Sequence, residues 1–357
     1  MSAIKNKRRR NRMKIKESLS FDDVLLLPQY SDINSRSEVD LSSPMKNLTF
    51  GIPIISSPMD TVTEEAMSLA MLRHGGLGII HRYNTVREQA DHVANMRDVF
   101  ESSSNSNINK IAAALPAGGD LIERSSALYD SGARIFCLDI AHGHHSLMKA
   151  ALETLKQKYS ESITLIAGNV ATPEAFNDLS TWGADAIRVG IGGGSICSTR
   201  IQTGHGQPTF QSILDCRDAA DSLIIADGGI KNSGDIVKSL AAGADFVMLG
   251  SALAGTKESP GDVFVSKTGV TSKIYRGMAS VEAQVAWRGQ ARSLEGISTT
   301  IKYKGSVSKI LKDLVQNIKS GLSYTGSRNI SEFQAKAKFT KQTSAGQFES
   351  NTHILST

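Results

Sequence analysis

The chain predicts a closed (β/α)₈ barrel, the TIM-barrel fold, with a flap and a C-terminal extension over the barrel mouth. Three observations carry this. Short apolar, β-branched runs recur eight times between residues 52 and 251. They are apolar throughout, as parallel strands buried on both faces are. Segments with helical spacing lie between them, and glycines, hydroxyls and acids gather just after them, where barrel enzymes keep their chemistry.

The strand runs are 52–59, 77–81, 110–116, 134–141, 164–170, 186–192, 223–229 and 246–251. Among the helical segments, 64–76, 145–159 and 233–244 carry apolar residues three and four apart, and GG or GA closes two of them as a C-cap would. A doubly wound sheet is the alternative that strand–helix alternation alone leaves open. The strand ends read SSPMD, LDIAHG, AGNVAT, VGIGGGSICSTR, ADGG and LGS. After strand eight, residues 269–305 are rich in Gly, Ser and Arg and suit a long hairpin or a mobile flap. A helical pattern follows over 307–320, then a polar tail from about 327 to 357. The expected organisation is an arm at 1–17 and one catalytic domain at 18–357.

Composition limits the function classes. With 40% hydrophobic and 21% charged residues the chain is an ordinary globular protein. No apolar run reaches the length of a membrane helix, and the basic N-terminus lacks the apolar core of a secretory signal, so a cytoplasmic location is expected. Lys5, Lys7, Arg8, Arg9, Arg10, Arg12, Lys14 and Lys16 account for the positive charge. Without these eight the formal +5 becomes −3, leaving a mildly acidic body. The arm is expected to be a disordered, solvated tail, or sequence upstream of a start at Met13; contact with nucleic acid is the other reading. Cys137, Cys197 and Cys216 form no CxxC pair, against a disulfide framework or zinc site and for a reducing compartment.

VGIGGGSICSTR (189–200) is the central motif. Gly192, Gly193 and Gly194 allow a tight turn that exposes backbone N–H and C=O groups. Cys197 follows, beside Ser195, Ser198, Thr199 and Arg200, where cations and N–H groups would favour a thiolate nucleophile. A glycine turn with an incidental cysteine is the plainer alternative. The loops after strands seven and eight offer a phosphate cup through Gly229, Gly250 and Ser251, with Asp227 placed for ribose hydroxyls. Asp139 and His142 end strand four. His142, His144 and His145 lack metal-ligand spacing, so no catalytic metal is expected there. Glu295, on the flap, could reach the cysteine and move protons with Thr199.

These motifs resemble the IMP dehydrogenase/GMP reductase family over nearly the whole chain. The resemblance rests on LSFDDVLLLP, SRSEVDLSS, PMDTVTE, GGLGIIHR, IAGNVAT, GIGGGSICSTR, ADGGI, VMLGS and YRGM, in that order. It implies an oxidoreductase, a homotetramer of barrels, with a purine nucleotide and a nicotinamide cofactor at the mouth. It implies that Cys197 attacks purine C2 to form a thioimidate. Ser195, Asp227, Gly229, Gly250, Ser251 and Tyr275 would hold the ribose phosphate; Gly277, Met278, Arg292 and Gly296 would hold the base. Asp139 and Ser280 would contact the cofactor. The carbonyls of Gly192, Gly194 and Cys197 match a monovalent-cation loop, for which potassium is the ion implied.

Two activities divide this family. A dehydrogenase turns IMP, NAD⁺ and water into XMP, hydrolysing its thioimidate with an Arg-Tyr pair on the flap. A reductase uses NADPH to convert GMP to IMP and ammonia, with no hydrolysis. GGLGIIHR and SAGQFESNTH resemble dehydrogenases, whereas SRSEVDLSS and the lack of a CBS-domain pair resemble reductases. No Arg-Tyr dipeptide occurs between Met278 and Glu295, where only Arg288 and Arg292 stand. Thr199 and Glu295 match the reductase's proton-handling pair, although RSLEG replaces the usual RASEG. The reading is GMP reductase, with IMP dehydrogenase as the alternative and a non-catalytic nucleotide- or nucleic-acid-binding barrel as the third.

Overall fold

A computed structural model describes residues 15–102, 106–266, 269–292, 294–350 and 352. The basic run through Lys14, Ser293 of the flap and the final residues 353–357 lie outside them.

Eight parallel strands close into a barrel in sequence order. They are β1 (Ile54–Ser56), β2 (Leu77–Ile80), β3 (Ala112–Leu115), β4 (Ile135–Asp139), β5 (Thr164–Val170), β6 (Ala186–Val189), β7 (Leu223–Asp227) and β8 (Phe246–Leu249). Closure comes from β8 against β1, with Val247 opposite Ile54 and Leu249 opposite Ser56. Every residue of β2, β3, β6 and β8 is buried, as apolar runs packed on both faces require.

Each predicted run contains its strand, but most of the runs extend past the strand's C-terminal end. The reason is local. At Gly190 the chain leaves β6 with φ at 144°, and a Cβ there would lie 1.9 Å from the Asp227 carbonyl oxygen. Only glycine lets these two strand ends approach so closely.

The helices between the strands are α1 (Glu65–Arg73), α2 (Val86–Ser102), α3 (Leu121–Ser131), α4 (Ser146–Tyr159), α5 (Pro173–Thr181), the short α6 (Thr199–Thr203), α7 (Thr209–Cys216) and α8 (Ser233–Ala242). Their boundaries follow capping chemistry. Thr172 accepts a bond from the Ala175 N–H ahead of Pro173, and Asn232 does the same for Asp235. Gly243 then ends α8 in the left-handed region.

The opposite end of the barrel is plugged by a hairpin of Ser43–Met45 and Leu48–Phe50. Met45 and Phe50 are fully buried, and Phe50 meets Phe246 edge-on at 5.8 Å.

Beyond β8, strands β9 (Phe264–Val265), β10 (Thr271–Arg276) and β11 (Ser298–Lys302) form an antiparallel sheet. Helix α9 (Val281–Arg288) is set between β10 and β11. The flap is therefore a hairpin with a helix in it, which its Gly- and Ser-rich composition concealed. Helix α10 (Val307–Ser323) packs on α8 and α1 and completes the outer ring.

The polar tail is structured as well. Helix α11 (Ile330–Lys336) lies on α8, and Phe339–Lys341 pairs antiparallel with Val24–Leu26. It reaches the rim near Asp22 and Asp23. Among the described residues, none after Gly296 lines the mouth cavity, so the flap covers the mouth and the tail braces its edge.

Candidate active site

The C-terminal strand ends enclose a cavity of about 650 Å³. Cys197 lines it on the loop after β6, half-buried, with its Sγ 3.1 Å from the Thr199 hydroxyl oxygen. Cys137 and Cys216 are fully buried, and burial pushes both thiols up to about 12. Neither can supply thiolate near neutral pH, so Cys197 is the one thiol placed for chemistry.

The Cys197 loop is shaped by close backbone contacts. The Cys197 N–H donates to the Gly194 carbonyl at 3.1 Å. Gly192 has φ at 80°, and a Cβ on it would strike Arg200 Cγ at 2.6 Å. Residues 192, 194 and 197 thus lie within one short loop. Among the described residues no His, Cys, Asp and Glu cluster could hold a metal. His144 instead bonds Asp178 at 2.8 Å, and His145 caps α4.

On the far side of the loop the proposed phosphate residues converge. The Ser195 hydroxyl lies 3.5 Å from that of Tyr275, which is buried. A Cβ on Gly250 would come within 3.2 Å of the same Tyr275 oxygen. Burial raises the Tyr275 pKa against the lowering effect of Ser195 and Ser251, so it stays a neutral donor. Gly229, at φ 79°, and Ser251 complete the cup.

The groups that join the two expected acids of the floor were not read from the sequence. Arg188 of β6 is buried between two acids: its Nη1 donates to Asp139 Oδ1 at 2.5 Å, and its Nη2 and Nε to Asp227 Oδ2 at 2.8 and 3.2 Å. Asn169 Nδ2 donates to the same Asp227 oxygen at 2.8 Å. Arg82 adds a longer contact to Asp139, at 3.6 Å. Burial pushes the Asp139 carboxyl up, but Arg188 and Arg82 outweigh it, and the net is below the ordinary range. One signal for Arg188 existed, a lone charge inside the apolar run AIRVG, because buried charges need partners.

The flap reaches the cysteine through its backbone. Ser198 N–H donates to the Glu295 carbonyl at 3.0 Å, Ile297 N–H to the Ile196 carbonyl at 3.1 Å, and Cys197 bridges Gly296. Glu295, Gly296, Gly277 and Met278 all line the cavity. Helix α9 is docked by Trp287, stacked on Tyr83 at 4.1 Å and 11°, while the Tyr83 hydroxyl donates to the Met278 carbonyl at 2.7 Å.

Two expected residues fall elsewhere. Ser280 is fully buried and caps α9, its hydroxyl oxygen accepting from the Ala283 N–H, and it does not line the cavity. Arg292 is exposed and does not line the cavity; its N–H donates to Gln284 Oε1 at 2.9 Å. Arg288 is the flap arginine at the mouth.

Fold and site place the chain among barrel enzymes that work at the C-terminal strand ends. Comparison with known proteins narrows this: the chain belongs to the IMP dehydrogenase/GMP reductase family, whose domain model matches residues 18–353. The family's members are oxidoreductases that use nicotinamide dinucleotides. An inosine-5'-monophosphate dehydrogenase from Cryptosporidium parvum is 38% identical, over 95% of this chain and 96% of its own. A GMP reductase from Leishmania major is 32% identical, over 95% and 97%. That alignment runs to 480 positions against 357 residues here, so the relative carries a segment this chain lacks. Among solved structures, a GMP reductase variant from Trypanosoma brucei in complex with guanosine 5'-monophosphate superposes with a TM-score of 0.87 at 29% identity, over 95% of this chain and 98% of that one.

Proposed function

We propose that this chain is a GMP reductase, converting GMP and NADPH to IMP, ammonia and NADP⁺. The observation that carries it is the flap: it has no Arg-Tyr pair between Met278 and Glu295, and it seats Glu295 against the Cys197 loop. In this reading the Cys197 thiolate adds to purine C2, and the C2–N bond breaks to release ammonia, which takes its proton from the Thr199–Glu295 pair. Bound NADPH would supply hydride to C2, after which the C–S bond breaks and the thiolate returns. Ser195, Asp227, Gly229, Gly250, Ser251 and Tyr275 hold the ribose phosphate, and Gly277, Met278 and Gly296 hold the base. Asp139, with Arg82 beside it, borders the dinucleotide. In the same reading the carbonyls of Gly192, Gly194 and Cys197 would hold a potassium ion that braces the loop. A cytoplasmic homotetramer belongs to the same reading.

IMP dehydrogenase is the second reading, favoured by Arg288 lining the mouth, where it could activate water. A paired assay separates them. GMP-dependent NADPH consumption is the expected result; robust NADH formation from IMP and NAD⁺ would overturn the first reading. A silent nucleic-acid-binding barrel would show neither, and would lose salt-sensitive binding on deletion of residues 1–13.

A further inference from the structure

Asp227 and Asp139 stand at the ends of β7 and β4 and belong, in the proposed reading, to different ligands. The structure joins them through one side chain. Arg188 is 8% exposed and its planar fork spans both acids, Nη1 toward Asp139 and the Cys137 thiol, Nε and Nη2 toward Asp227. Space for it is made by Gly168 of the neighbouring strand, where a Cβ would lie 2.6 Å from that of Arg188. The bonds to the Asp227 carboxylate from Arg188 and Asn169 all fall on Oδ2. Both acids line the cavity.

We propose that Arg188 is a positioning residue that couples the two ligand subsites, so that filling one tightens binding at the other. This rests on the purine nucleotide and the dinucleotide sharing the mouth, but not on the direction of hydride transfer. A ribose hydroxyl donating to Asp227 fixes that carboxylate, which fixes the guanidinium, which in turn fixes Asp139. The ordering is met once, by whichever ligand binds first, and the second binds a site already arranged. A rigid fork is needed for this. A lysine at the same place is a point charge that can neutralise the acids but cannot hold both in one plane.

The test is a binding cycle on the full chain by calorimetry, using pairs in which no hydride can transfer: GMP with NADP⁺, and IMP with NADH. In the wild type, saturating dinucleotide should lower the nucleotide Kd by at least about fivefold. In Arg188→Lys the factor should fall to about one, while each ligand alone still binds. A wild-type factor of one, or an unchanged factor in Arg188→Lys, overturns the proposal. If Arg188→Lys does not fold, Asp139→Asn takes its place: the nucleotide Kd without dinucleotide should weaken severalfold, although Asp139 borders the other subsite, and an unchanged Kd overturns the coupling. Binding by the IMP and NADH pair alone would count against the reductase reading and leave the coupling readout intact.

Discussion

At the residue scale the three cysteines differ only in their surroundings. Burial holds Cys137 and Cys216 near 12, whereas Cys197 is half-buried in the mouth. Iodoacetamide at pH 8 should therefore place a single adduct on the folded protein, at Cys197, and abolish turnover with it. Mass spectrometry showing early adducts on the other two would count against this site. Glu295 is argued on position: it lines the cavity, and its carbonyl accepts from the residue after the cysteine. Glu295→Gln keeps that backbone bond and removes the proton donor, so kcat should drop by about 100-fold or more with little change in nucleotide affinity. A loss of affinity instead would recast Glu295 as a binding group. That Cys197, Gly229, Gly250 and Glu295 would gather at the mouth was legible in sequence, because each follows a strand or stands on the flap, and all four line the cavity. Arg188, Asn169 and Arg82 were not: their partners lie on strands distant in sequence, and only barrel closure joins them.

At the element scale the strands were easier to read than the flap. A parallel strand buried on both faces needs a largely apolar run, and the eight runs supply it, with Arg188 the charge set inside one of them. Helix α9 has no such mark, because it buries only Ala283 and Gln284 and adds one stacked ring, not a long apolar stripe. The Tyr83–Trp287 stack, with Arg82 and Arg288 guanidiniums within 5.6 Å of the Trp287 ring centroid, holds it over the mouth. Stacked pairs of this kind contribute about 0.5–1.5 kcal/mol beyond the area they bury. Trp287→Ala should accordingly speed amide exchange across residues 281–297 by roughly 2–10-fold, leaving the barrel strands unchanged. Equal exchange in both proteins would mean that the stack does not hold the flap.

Across the whole molecule, burial leaves Asp245 at a cost. Asp245, just before β8, accepts from the Ile224 N–H at 2.8 Å, and burial pushes its carboxyl up to about 6. A raised folded pKa favours the folded state where the group is protonated. This contribution is full below about pH 4 and is lost as pH rises through about 6. Asp245→Asn retains an acceptor for Ile224 without the charge. It should be more stable than wild type at pH 7.5, by up to about 3 kcal/mol, with the gap closing toward pH 4. Denaturant unfolding at the two pH values reads this; a variant no more stable at pH 7.5 would show that the carboxylate is solvated.

What the sequence determined by itself was the barrel, its membership in the family and the cysteine at its mouth, since all three rest on patterns local to a strand or loop. Tertiary structure alone decided how those parts meet. It linked Asp139 to Asp227 through Arg188, withdrew Ser280 into a helix cap, placed Arg288 at the mouth while Arg292 stayed outside it, and turned the tail into a brace for the rim. The reason is physical: a hydrogen bond or ion pair across a closed barrel depends on strand register and burial, and neither is set by residues adjacent in the chain.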